Sequence, residues 1–105
     1  MGGGSERFMI KTTEDIIYNR LKSRIGFDKS NKHLIWLRQF GEPHHLFGSY
    51  SGRKTSDYCA IPLTREEHDK AEKNKSEFAI DNLHILILTL QKRIKELENN
   101  KSWNK

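Results

Sequence analysis

Residues 44–72 run from one apolar stretch through a turn-rich loop into a second, and a helix start follows with no spacer. That order leaves the chain few ways to fold. "HHLFG" at 44–48 reads as a strand, "SYSGRKTSD" at 49–57 as a loop of turn formers, and "YCAIPL" at 58–63 as the returning strand of a hairpin. Thr64 with Glu67 three residues on is a capping-box pattern, so a helix opens there and carries His68 and Glu72 on one face at i and i+4.

The flanks of this unit read as helical. Thr12 or Thr13 caps a helix with Glu14 and Asp15 in its first turn and Ile17, Leu21 and Ile25 on one face, and Gly26 ends it. "HLIWLRQF" at 33–40 reads as an extended segment or a short helical turn before Gly41 and Pro43. Ser76 caps a last, long helix in which Ile80, Leu83, Ile87, Leu90, Ile94 and Leu97 alternate spacings of three and four. Such a seam suits packing on the domain itself or pairing with a second copy, so a homodimer through this helix is one expectation. Residues 1–8, with "GGGS", read as a flexible terminus or tag remnant, 9–99 as one domain, and 100–105 as a polar tail.

With 105 residues the chain has room for one domain and a limited core. Lys and Arg total 19 against 14 acidic residues, a net charge of +5, which favours a polyanionic partner. Cys59 is the only cysteine, which excludes an intramolecular disulfide and a Cys-x-x-Cys zinc knuckle, and its place in a strand suits a small buried hydrophobe better than a nucleophile. There is no run of about 20 apolar residues to span a membrane and no cationic-then-apolar leader. The cytoplasm is the expected compartment, that of the host if the protein is phage-encoded.

The histidines carry the chemical signal. Adjacent residues on a strand point to opposite sides, so His44 and His45 cannot both face the core. A divalent ion held by His44, His68 and Glu72 would neutralise a phosphate oxygen while His45 deprotonates an attacking water. Such a base needs a second group to fix its tautomer, for which Asp57 or a backbone carbonyl of the hairpin is available.

The run "HH", the loop "GRKTSD", the step "IPL" and the helix opening "TREEH" resemble the HNH endonucleases, in particular small phage-type members related to recombination nucleases. The resemblance spans about His33 to Glu72. It implies an α+β fold with a ββα-metal (His-Me finger) core, here flanked by an N-terminal helix and a long C-terminal helix. It also implies one divalent ion (Mg, Mn, Ni or Zn), with His44 and His68 as ligands, His45 as general base and Asp57 as the residue bracing loop and base. Glu72 stands where many members carry another histidine. The cysteines that commonly bind a structural zinc in relatives are missing, so apolar packing by Trp36, Leu37, Phe40, Phe47, Tyr58, Ile61 and Leu63 must hold the core instead.

Arg53 and Lys54 in the loop, with Arg65, Lys70 and Lys73 on or near the helix, are candidates to track a nucleic-acid backbone. The leading expectation is therefore a metal-dependent endonuclease that nicks or cleaves DNA with little sequence specificity, RNA remaining open as a substrate. The alternatives are a non-catalytic nucleic-acid- or protein-binding adaptor or inhibitor on the same scaffold, and a structural zinc module whose imidazoles close a tetrahedral site.

Overall fold

The computed structural model describes residues 12–103, so the expected flexible segment 1–8 lies outside the described residues. Among them the fold is α+β, with five α-helices and two small antiparallel sheets. Helix α1 (Thr13–Arg24) starts where Thr12 accepts the Asp15 N–H. Its buried face is not the expected Ile17, Leu21, Ile25 row: Ile17 is exposed, and Tyr18 enters the core with Leu21 and Ile25 packed beside it. Positions 18, 21 and 25 are as helical in spacing as 17, 21 and 25, and the larger aromatic takes the buried place.

Helix α2 (Asn31–Leu37) is a full two turns, not an extended segment, because the Ser30 side chain accepts the His33 N–H and supplies the cap. Strand β1 (Glu42–His45) pairs antiparallel with β4 (Ala60–Leu63) in the register His44 opposite Ile61 and His45 opposite Ala60. Gly41 leads into β1 where any Cβ would meet the backbone of Leu63, 2.8 Å from its O and 3.0 Å from its N. The connection between the strands is more ordered than an open hairpin loop: it folds into a second hairpin, β2 (Ser49–Tyr50) against β3 (Arg53–Lys54), then a 3-10 turn at Asp57–Cys59. Cys59 thus sits on that turn rather than in the strand, and burial, then the Asp28 charge, raise its thiol above the ordinary value, keeping it protonated.

Helix α3 (Arg65–Lys73) has the expected capping box, with Thr64 accepting from the Glu67 N–H and Glu67 accepting from the Thr64 N–H. Beyond Lys73 the chain departs from a single helix capped by Ser76. Asn74 caps a short α4 (Lys75–Asp81), while the Ser76 hydroxyl donates to Asp15 on α1. Asn82 then interrupts the run, its amide donating to the Phe78 carbonyl, and α5 (Leu83–Trp103) begins beyond it and continues into the polar tail. An Asn side chain that competes for backbone groups ends a helix locally even where the apolar spacing continues.

The main core gathers Tyr18, Leu46, Phe47, Ile61, Leu63 and Leu86, and a smaller cluster joins Trp36, Leu37 and Ala60. Phe40 and Tyr58, expected inside, are 50% and 46% exposed. Phe40 instead packs edge-on against Trp36 and beneath Lys92, and Tyr58 covers the buried ring of His33. Helix α5 closes over α2 through Trp36 Nε1–H, which donates to Glu96 (3.1 Å), and leaves Ile87, Leu88, Ile94 and Leu97 exposed. Among the described residues no helix is long and apolar enough to cross a membrane.

Candidate metal centre and cavity

β1 and α3 between them supply the candidate ligands. The β1–β4 ladder fixes which side each residue of β1 faces, and His44 turns into the protein, its ring edge-on to His68 (5.0 Å between centroids) and to Phe78 (5.9 Å). The capping box sets the phase of α3 and so presents His68 and Glu72 on one face toward β1. The ligand atoms of His44, His68 and Glu72 all lie within 4.8 Å of one another, a group that can hold a metal ion.

The chemistry of this donor set fits a metal. Burial, then the neighbouring His68, push His44 down to about 4, with Glu72 opposing in part, so the imidazole is neutral and its lone pair available near pH 7. The Nδ1 atom of His68 lies 2.9 Å from Glu42 Oε1. A carboxylate accepts, so in the neutral ring Nδ1 carries the proton and Nε2, 4.0 Å from Glu72, is the nitrogen with the lone pair. Carboxylate, imidazole and metal in series is the usual way a protein fixes a ligating histidine. Three protein donors also leave coordination positions free, unlike the closed four-ligand set of a structural zinc.

His45 faces a different partner. Its Nε2 donates to Asp57 Oδ1 at 2.7 Å, which leaves Nδ1 as the basic nitrogen. Asp57 is itself anchored, for Oδ2 accepts the Ser30 N–H (2.7 Å) and its own N–H donates to the Asp28 carbonyl. Burial would raise this carboxyl, but the hydrogen bonds to His45 and Ser30, aided by Lys29, hold it below its ordinary value. Of the two orienting groups open from sequence, the side chain of Asp57 is the one in contact.

His44, His45, His68 and Glu72 all line one cavity of about 360 Å³. Lys54 joins them, whereas Arg53, Arg65, Lys70 and Lys73 are not among its lining residues. Arg53 lies 4.2 Å over the Phe27 ring, Arg65 is shared between Glu42 and Asp69, and Lys70 and Lys73 are exposed on α3. Sequence reading also missed Glu42, although it stands two residues before His44 and so on the same side of β1. It missed Tyr18 and Lys22 of α1 and Lys75 of α4, which reach the cavity from helices that carry no site motif.

Comparison of the chain with protein-family models, with curated proteins and with solved structures gives no match.

Proposed function

We propose that this protein is a metal-dependent endonuclease of the HNH type, with a ββα-metal core formed by β1, β4 and α3, that hydrolyses phosphodiester bonds in DNA by nicking or cleavage. One observation carries the reading: a histidine fixed by a carboxylate, His45 with Asp57, opens on the same cavity as the three-donor group of His44, His68 and Glu72. A base and a cation site side by side are what hydrolysis of a phosphodiester requires, and a structural zinc site has no use for the base.

A divalent ion held by His44, His68 and Glu72, whether Mg, Mn, Ni or Zn, would supply positive charge against a phosphate oxygen and the leaving oxygen. His45 Nδ1 takes a proton from water as the water oxygen bonds to phosphorus. Asp57 holds the ring in the tautomer that makes this transfer available and stabilises the imidazolium that results. The phosphorus bond to the leaving oxygen breaks, and that oxygen takes a proton from solvent. Glu42 accepts from His68 Nδ1–H, which would leave Nε2 as the nitrogen that holds the ion.

The test is conversion of supercoiled plasmid, and separately of a single-stranded oligonucleotide, with each of the four metals and in EDTA. Metal-dependent cutting that His45→Ala abolishes is the expected result. Intact substrate in every condition, from folded protein, would overturn it and favour an adaptor acting through the exposed apolar row of α5.

A further inference from the structure

The cavity has a wall that the hydrolysis scheme leaves unused. Tyr18, on α1, is 6% exposed and is one of the residues that line the cavity, and its hydroxyl is buried with no hydrogen-bond partner. A buried hydroxyl without a partner costs stability, and phenylalanine would fill the same core position without that cost. Its packing is already complete, since the ring stacks on Phe47 at 5.9 Å. The hydroxyl therefore calls for a partner from outside the protein.

Two lysines make its surroundings attractive to an anion, with the Glu72 carboxylate on the same cavity acting against them. Lys22, one turn along α1, holds its ammonium 5.3 Å from the Tyr18 ring centroid, and Lys54 projects from β3 into the same space. Neither lysine is paired with a carboxylate among the described residues. Gly48, at φ +61°, also lines the cavity, and a Cβ there would stand 3.4 Å from the Tyr18 hydroxyl oxygen. The backbone is thus left bare where a ligand approaches that hydroxyl.

We infer that Tyr18, Lys22 and Lys54 form a subsite for a phosphate of a nucleic-acid backbone next to the one at His45, with Tyr18 donating a hydrogen bond and the two lysines neutralising charge. The subsite rests on the nuclease reading for its ligand, and it makes α1 part of the substrate-binding surface rather than a support for the core. A phosphate held here would fix the register of the strand, so that the next phosphodiester lies over His45.

The test separates this inference from hydrolysis. Binding of a fluorescein-labelled single-stranded oligonucleotide is measured in EDTA, where no metal is present, across a salt series, for wild type, Tyr18→Phe, Lys22→Gln and Lys54→Gln. Lys95→Gln, on α5, controls for loss of one positive charge. Tyr18→Phe should bind about tenfold more weakly while melting at or above the wild-type temperature. Each cavity lysine variant should lower the salt slope by about 0.7, as expected for one phosphate contact on a single strand, and Lys95→Gln should not. Binding by Tyr18→Phe equal to wild type, a lysine effect no larger than that of Lys95→Gln, or wild type that fails to bind would each overturn the subsite. Wild type that binds as described but cuts with no metal would uphold the subsite and sink the nuclease.

Discussion

His33 and His45 both feel the charge of Asp57, and the protein treats them in opposite ways. His45 gives one ring nitrogen to the carboxylate and keeps the other at a cavity. His33 is fully buried between Trp36 and Tyr58, and neither of its ring nitrogens has a partner. The first is an imidazole oriented by a carboxylate at a cavity, whereas the second is a flat ring used for packing at the cost of two unsatisfied nitrogens. A histidine is thus read by what its two nitrogens meet, and burial alone does not make one functional.

The sharpest way to break this contrast is to remove each ring in turn. His45→Ala should lower plasmid nicking about 10²–10⁴-fold, with metal affinity near wild type and the melting temperature lowered because Asp57 loses a hydrogen bond. His33→Leu should leave nicking unchanged, and a loss approaching that of His45→Ala would mean that the packing histidine takes part in the chemistry. Next in size is the bracing carboxylate of the other site histidine: Glu42→Gln should weaken metal binding about 10–100-fold by calorimetry, since His68 loses the acceptor that fixes its ring.

A smaller effect depends on pH. Burial, then the Arg93 charge, hold His33 below its ordinary value, with Asp57 opposing in part. As pH falls, the unfolded chain therefore takes up a proton on this ring before the folded one does. Its contribution to stability is whole above about 6.5 and declines below that. His44 titrates with the same sign, its folded value being about 4. Urea unfolding at pH 7 and pH 5 should show wild type losing stability toward acid and His33→Leu losing less; equal losses would mean that His33 is accommodated as a cation. The smallest effect belongs to α5, whose exposed Ile87, Ile94 and Leu97 are the seam from which self-association is expected. Sedimentation velocity should give a concentration-dependent dimer that Ile94→Lys dissociates, and a monomer at all concentrations removes that role.

Much of the fold could be read in the sequence wherever a single residue decides locally. Thr12 and Thr64 cap the helices they were expected to cap, and the pairing of β1 with β4 follows from two apolar stretches around a turn-rich loop. Ambiguity entered where two choices satisfy the same spacing, as with Ile17 and Tyr18, or where a side chain overrides a continuing pattern, as at Asn82. The cluster of His44, His68 and Glu72 was legible because i, i+4 spacing on a helix and alternation on a strand fix direction. Glu42, Tyr18 and Lys22 were not, because their places at the cavity come from how α3 docks on β1 and α1 on α4 and β2, and no motif in the chain encodes that docking.

Gly41 gives the site a zero mark. Side chains on β1 alternate, so sliding this strand by one residue along β4 would turn every one of them to the other side. A slip one way would bring His44 to Asp57 and leave Pro43 in its place beside His68, and a slip the other way would bring His45 to His68 and leave Leu46 at Asp57. With the Leu63 backbone 2.8 Å from where a Cβ would stand, only glycine lets the chain enter β1 in the present alignment. The different surroundings of two identical, adjacent residues are therefore written in a residue that has no side chain.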